Sequence, residues 1–274
     1  MQSQQDHAEM ILALDIGGTF IKSGVISPDG ALRKLPQIPS RSDGGRAEIV
    51  SAIRSAVDAA GKVDAVGIAI PGPFDYRRGI SLMTHKFGAL NGVDLRAELA
   101  LNVPCVFVHD ADAFLLGELG FGVLRGVTRA GAVTLGTGLG AAVALNGAPV
   151  DNELGSPAPE VSLWNRPFRG GIAEDFISAR ALLKKYPAAG AKEIADAAKS
   201  GDAAAIRAWR EFGEDLAELL TQWAEHWSLK KIALGGQIAG AWELFRSPLK
   251  GLPIVPSELA DAALHGAYLK AQNL

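Results

Sequence analysis

The stretch Ile11-Leu12-Ala13-Leu14-Asp15-Ile16-Gly17-Gly18-Thr19-Phe20-Ile21-Lys22-Ser23-Gly24-Val25-Ile26 governs how the rest of the chain is read. An apolar run with one carboxylate predicts a buried strand, Gly-Gly-Thr a tight turn, and the alternation after it a second strand. Paired glycines let backbone approach a ligand closely and accept positive φ. Successive turn N–H groups can form an anion-binding concavity. An acid beside such a turn suits magnesium, which would share its coordination with phosphate oxygens. A plain hairpin with a glycine turn satisfies the same letters.

Residues Val133-Thr134-Leu135-Gly136-Thr137-Gly138-Leu139-Gly140-Ala141-Ala142-Val143-Ala144-Leu145 repeat the pattern of strand, Gly/Thr turn and strand. A dinucleotide fold would need a helix directly after the glycines. Both turns instead lead into short apolar runs that end at Gly, Asn or Pro, so both read as hairpins. No Gly-Lys-Ser/Thr follows either, which excludes a Walker loop. Two such hairpins suggest two related halves closing on one nucleotide.

Composition narrows the class. At 274 residues the chain suits one large domain or two modest ones. A net charge of −3 leaves no basic footprint for nucleic acid. The single cysteine, Cys105, excludes an internal disulfide and fits a reducing cytoplasm. No run approaches the ~20 apolar residues of a membrane span. The polar leader, residues 1–9, reads as a disordered tail rather than a signal peptide.

Between the hairpins, 31–39 reads as a third strand and 46–61 as a helix with Ile49, Ile53 and Val57 on one face. The run 63–70 reads as a buried strand that delivers Pro71-Gly72-Pro73, a rigid turn at a strand's C-terminal end, where open α/β sheets place ligands. A second buried strand, 104–108, ends in His109-Asp110-Ala111-Asp112-Ala113 and runs into a helix. An Asp at such a junction is an N-cap or a carboxylate aimed into a cleft as a base. One N-cap position cannot hold both acids, so Asp110 is assigned to the cleft and Asp112 to a structural role near the helix start.

Asp-Ile-Gly-Gly-Thr, the Pro-Gly-Pro loop, Asp-Ala-Asp-Ala, Leu-Gly-Thr-Gly-Leu-Gly and Glu153-Leu154-Gly155 stand in the order found in ROK-family sugar kinases, which the chain resembles. The resemblance implies an α/β fold of two actin-like (ribonuclease H-like) domains around a deep interdomain cleft. The expected domains are 10–117, joined by a C-terminal helix at about 258–274, and 118–257. It implies ATP as co-substrate, Asp110 as catalytic base, and Asp15 holding Mg2+ through water. Gly17, Gly18, Thr19 and Lys22 would bind phosphate with Gly136, Thr137 and Gly138, and Gly235 and Gly236 would line the adenosine side. Gly72, His109, Asp110, Glu153 and Glu174 would face the sugar.

The departures from the family are informative. His109 stands where an Asn is usual, and Lys86 where a sugar-facing Asn is common. Ser156 replaces a zinc-binding His, and no cysteine lies between it and Glu174. Zinc needs about four ligands in a closed site, so no zinc is expected. The intervening 157–169, with Trp164 and Phe168, would substitute apolar packing. The long helix 202–227 carries an aromatic stripe of core or dimer type. The resulting expectation is a cytoplasmic, homodimeric, Mg2+-dependent hexose kinase acting on glucose or a related hexose or amino sugar. It has no nucleic-acid or membrane partner. A polyphosphate donor and a catalytically inactive sugar-binding regulator are the alternatives.

Overall fold

The computed structural model describes residues 9–274, and the expected tail lies outside them except for the exposed Glu9. The chain divides into two compact units: the chain up to Phe121 with Asp151–Ser156 and Asp261–Leu274, and Gly122–Val150 with Pro157–Ala260.

The first unit is built on β1 (Ile11–Ile16), β2 (Phe20–Ile26), β3 (Leu32–Lys34) and β4 (Ile38–Pro39), then α1 (Arg46–Asp58) and β5 (Ala65–Ile70). A small ribbon of β6 (Phe74–Asp75) and β7 (Ile80–Ser81) follows, then α2 (Leu95–Leu99), β8 (Cys105–His109) and α3 (Asp110–Gly120). The strand expected over 31–39 is split in two, β3 and β4, and Pro36, which cannot donate to a ladder, lies in the gap. The sheet order is β3-β2-β1-β5-β8, with β4 also on β2. β1–β2 and β2–β3 are antiparallel, while β1–β5 and β5–β8 are parallel. Every residue of β5 is buried, as a strand covered on both faces should be.

One face of this sheet carries α1, whose Ile49 and Ile53 are fully buried. Glu48 accepts the Gly45 N–H at 2.8 Å and so caps the helix start. The other face carries α3 and the C-terminal helix, Ala262–Ala271. Backbones meet there with no room for side chains. A Cβ on Gly266 would lie 1.7 Å from Ala113 O, one on Gly117 1.9 Å from Ala262 O, and one on Gly67 2.0 Å from Ala267 O.

The second unit repeats the plan with β9 (Arg129–Leu135), β10 (Leu139–Leu145), β11 (Ala148–Pro149), a ribbon of β12 (Pro167–Phe168) and β13 (Gly171–Ile172), and α4 (Ala179–Lys185). It continues with α5 (Ala191–Lys199), α6 (Ala203–Trp227), β14 (Lys231–Gly235), α7 (Trp242–Phe245) and β15 (Ile254–Pro256). Its sheet order is β11-β10-β9-β14-β15, with the same succession of antiparallel and parallel pairs. Trp209, Phe212, Leu216, Leu220 and Trp223 of α6 are fully buried in one core. Ile206, on the same predicted stripe, is exposed, because it lies in the first turn of the helix.

The segment 157–169 holds its place differently from expectation. Val161 and Leu163 are fully buried, and Trp223 Nε1–H donates to Val161 O at 3.1 Å. Arg169 pairs with the buried Asp215 of α6 at 2.5 Å. Phe168 is buried as expected, but Trp164 remains 49% exposed.

Two differences from the expected bounds have plain causes. The domain bound expected at 117 falls inside α3, which runs unbroken to Gly120 and packs on the C-terminal helix. Asp151–Ser156 belongs to the first unit, where the Tyr76 N–H donates to Leu154 O at 2.9 Å. Among the described residues no helix is long and apolar enough to cross a membrane.

Because carbonyl backbone cannot yield as a flexible side chain can, Gly266→Ala should destabilise the protein by about 2 kcal/mol or more. A lowered urea midpoint would show it, and an unchanged midpoint would contradict the close approach.

Candidate active site

The first turn is fastened from beneath. The Gly17 N–H donates to Phe20 O at 3.0 Å and closes the hairpin. Ser42 Oγ donates to Gly18 O at 2.6 Å, and the Ser40 N–H donates to Thr19 O at 3.0 Å. The N–H groups of Gly18 and Thr19 have no acceptor among the described residues. A turn whose carbonyls are tied down while its N–H groups stay free is suited to an anion.

The second turn has the same logic with other fastenings. The Gly136 N–H donates to Gly138 O at 3.1 Å, and Gly136 O accepts the Ala179 N–H at 2.9 Å. Glu174 Oε2 accepts the Leu139 N–H at 3.0 Å. Thr137 and Gly138 keep free N–H groups among the described residues.

None of Gly17, Gly18, Gly136 and Gly138 has positive φ, so these turns do not use the glycines' tolerance of it. What three of them provide is the missing side chain. A Cβ would meet Phe20 O at 3.1 Å from Gly17, Lys86 at 3.4 Å from Gly18, and Glu174 Oε2 at 2.6 Å from Gly138; Gly136 has open space. Gly236 does need the left-handed region, at φ 88°, and its Cβ would lie 2.2 Å from Leu135 O. The Gly235-Gly236 turn is thereby pressed against the foot of the second hairpin.

Asp110 begins α3 at the end of β8, and its side chain is 46% exposed. Its Oδ1 accepts the Ala111 N–H at 2.8 Å and lies 3.2 Å from His109 Nδ1. His109 is the N-cap: its Nδ1 also accepts the Ala111 N–H, at 3.2 Å. With Nδ1 turned toward the Ala111 N–H and Asp110 Oδ1, Nε2 is left at the opposite edge of the ring. That edge of the ring faces the Pro71-Gly72-Pro73 loop, because a Cβ on Gly72 would lie 3.7 Å from His109 Nε2 and 3.3 Å from Tyr76 Oη. The sequence reading missed Tyr76, which stacks edge-on to His109 and donates to Ile70 O at 3.0 Å. Gly72, His109 and Asp110 therefore come together, joined by Tyr76.

The remaining expected residues are placed less simply. Lys22 lies opposite Asp15 across the β1–β2 ladder, and its ammonium is 3.6 Å from Asp261, which also holds Lys34 at 2.6 Å. Glu153 is exposed in the segment tied to Tyr76. Glu174 has both oxygens engaged, one by Leu139 N–H and one by Arg180 at 2.8 Å, so its immediate work is to brace the second turn.

The sequence pattern of the ROK family matches residues 11–252. The chain belongs to the ROK family. The glucokinase of Thermotoga maritima is 29% identical over 272 residues, covering 88% of this chain and 86% of its own. The N-acetyl-D-glucosamine kinase of Pectobacterium atrosepticum is 27% identical over 293 residues, covering 94% and 95%. A ROK family glucokinase from Streptomyces griseus, solved with glucose and AMPPNP, matches with a TM-score of 0.82 at 23% identity, over 97% of this chain and 100% of its own. That likeness establishes the actin-like α/β fold.

In this ROK protein the acids of the first unit are electrostatically crowded. Burial pushes Asp15 up to about 6; Lys22 opposes the rise, and Asp110 and Asp261 add to it. Its carboxylate accepts no hydrogen bond from any described residue, so it is a hard oxygen donor with free lone pairs beside two free N–H groups. Those residues fit Mg2+. Among the described residues no three or more His, Cys, Asp or Glu side chains gather as a metal cage, so an ion there would rely on Asp15, water and phosphate.

Asp112 lies in the first turn of α3, near the helix start as expected, but it is buried rather than capping. It is 2% exposed, and neither carboxylate oxygen has a hydrogen-bond partner among the described residues. Burial pushes its pKa well above the carboxylate range, and the charges of Asp151 and Asp110 push the same way. Asp151 is raised for the same first reason, burial. The helical spacing could have shown that residue 112 faces inward, but nothing in the letters shows the missing partner.

A buried acid with a raised pKa releases its proton earlier in the unfolded chain. Its contribution to stability is therefore present below about pH 4 and is lost as pH rises toward the folded value. Asn has no proton to lose. The melting temperature of Asp112→Asn, relative to the parent, should rise steadily between pH 4 and pH 8. A pH-independent difference would show that Asp112 is ionised in the folded state.

Proposed function

We propose that this ROK-family sugar kinase transfers the γ-phosphoryl group of ATP to a hydroxyl of a hexose, with glucose the first candidate and amino sugars next. The observation that carries this is the partly exposed Asp110 carboxylate at a strand-to-helix junction, in a chain that repeats an open Gly/Thr turn at the same point of both sheets. The sugar-kinase relatives described above support the reaction class.

Asp110 would accept the proton of the attacking hydroxyl. The Ala111 N–H, shared by Asp110 Oδ1 and His109 Nδ1, keeps the carboxylate oriented. His109 would direct its Nε2 toward a sugar hydroxyl beside Gly72, where a side chain would intrude. Glu153 would accept from a sugar hydroxyl, and Glu174 would do so only through its remaining lone pairs. The free N–H groups of Gly18 and Thr19, and of Thr137 and Gly138, would receive phosphate oxygens, with Gly235 and Gly236 on the adenosine side. Mg2+, when bound near Asp15, neutralises charge on the phosphates. Phosphoryl transfer asks little covalent chemistry of the protein, so positioned donors and one base suffice.

The same proposal includes a cytoplasmic homodimer without structural zinc. The chain's lone cysteine is buried and agrees with a reducing compartment.

A coupled ADP-release assay over hexoses and amino sugars, with ATP and with polyphosphate, tests the reading. Activity with ATP on at least one hexose is expected. Sugar binding without phosphoryl transfer would instead favour a regulator. Asp110→Asn should lower turnover by about 10²–10⁴-fold while nucleotide affinity, read by calorimetric titration, stays near the parent value. Near-normal turnover would remove Asp110 from the role of base.

A further inference from the structure

The sequence reading put Lys86 on the sugar side, but the structure lays it across the first phosphate turn. A Cβ on Gly18 would lie 3.4 Å from both Lys86 Cδ and Nζ and 3.6 Å from Cε. The lysine side chain thus lies within ordinary van der Waals reach of the point where a side chain on Gly18 would begin. Its neighbour anchors it there: Phe87 is fully buried, and the Phe87 N–H donates to Ser42 O at 2.9 Å. Ser42 Oγ in turn donates to Gly18 O at 2.6 Å. One serine therefore fastens both the turn and the segment that carries the lysine.

The charges around the turn single this residue out. Lys22 and Lys34 are both committed to Asp261. Lys86 is exposed and forms no ion pair with any described carboxylate. Its ammonium lies near Gly18, whose N–H, like that of Thr19, has no acceptor among the described residues. Backbone N–H groups orient an anion but carry only partial charge. A phosphoryl group in transit has charge spread over three oxygens and is stabilised most by a full positive charge in place beforehand. A lysine ammonium on a flexible stem can follow that group as a point charge.

We propose that Lys86 is a donor-phosphate ligand: its ammonium closes the Gly17-Gly18-Thr19 turn over the phosphate chain and neutralises the group being transferred. This rests on the kinase reading above for the reaction, and on the turn geometry alone for the anion.

The test compares Lys86→Met, which keeps the stem and removes the charge, with Lys86→Arg. Two readouts are needed: steady-state kinetics with ATP and the best sugar, and calorimetric binding of inorganic tripolyphosphate with Mg2+ in the absence of sugar. Lys86→Met should lose about 10²-fold or more in kcat/KM for ATP and bind tripolyphosphate at least ~10-fold more weakly, with the sugar KM within about threefold. Lys86→Arg should recover most of both losses. Lys86→Met with parental tripolyphosphate affinity, or with only the sugar KM raised, would overturn the assignment. A parent protein that phosphorylates no sugar would defeat the kinase reading, yet its tripolyphosphate binding against that of Lys86→Met would still decide the role of Lys86. Melting temperatures equal to the parent's are expected, since the side chain is exposed; a fall of several degrees in Lys86→Met with tripolyphosphate binding lost equally in Lys86→Arg would mean a structural role and overturn the proposal.

Discussion

The first unit depends on a near-contact of three backbones: α3, the C-terminal helix and β5. Ala113 O, Ala262 O and Ala267 O lie where Gly266, Gly117 and Gly67 would otherwise carry a Cβ. Helices that meet through glycine approach more closely than side-chain ridges allow. The constraint is local in space but not in sequence, because the last residues of the chain seat a helix that starts at Asp110. Asp110, the first residue of α3, inherits its position from that packing. The direction of its carboxylate is then trimmed by a single amide, Ala111 N–H, shared with His109.

On that rigid base the unit carries carboxyls that stability alone would not retain. Asp15 and Asp112 are both raised chiefly by burial, and both oxygens of Asp112 lack hydrogen-bond partners among the described residues. A buried polar group without a hydrogen bond is costly, and such perturbed acids concentrate at functional sites. Asp15 has a visible use beside an open turn. Asp112 touches neither turn in any recorded hydrogen bond, and its neutral form is the one that burial favours. Tyr76 experiences the same crowding: burial first, then Asp110, Asp112 and Asp151, keep its phenol protonated and so able to donate to Ile70 O.

Much of this was legible in the letters. Alternating apolar runs around Gly/Thr turns marked both hairpins, and the repeated sheet order follows from repeating them. The position of Asp110 was legible because the buried run 104–108 ends at His109-Asp110, where the helix begins. What stayed hidden needed contacts distant in sequence. Asp151–Ser156 joins the first unit through one hydrogen bond to Tyr76, about 80 residues away, and no periodicity encodes that. The glycines of the turns were read for close approach and tolerance of positive φ, whereas what crowds a side chain there is Phe20 O at Gly17 and Glu174 at Gly138. Glu174 was placed on the sugar side by the family resemblance, and the letters could not show that Leu139 N–H and Arg180 each engage one of its oxygens.

The two turns, alike in shape, differ in charge. At Gly138 the nearest ionised group is Glu174, whose charge is answered by Arg180 and a backbone N–H, so that turn offers hydrogen bonds without a net field. At Gly18 the nearest ionised group is Lys86, which no described carboxylate answers. Duplication of one hairpin would leave both turns equal, so the difference lies in what was brought against each: a serine-anchored loop at the first, a short 3₁₀ turn, Ala173–Asp175, at the second. A phosphate chain carries more charge at its transferred end than backbone dipoles can offset. The unit with the surplus cation is also the unit that holds Asp110, so on the proposed kinase reading charge compensation and the base for the attacking hydroxyl would come from one unit.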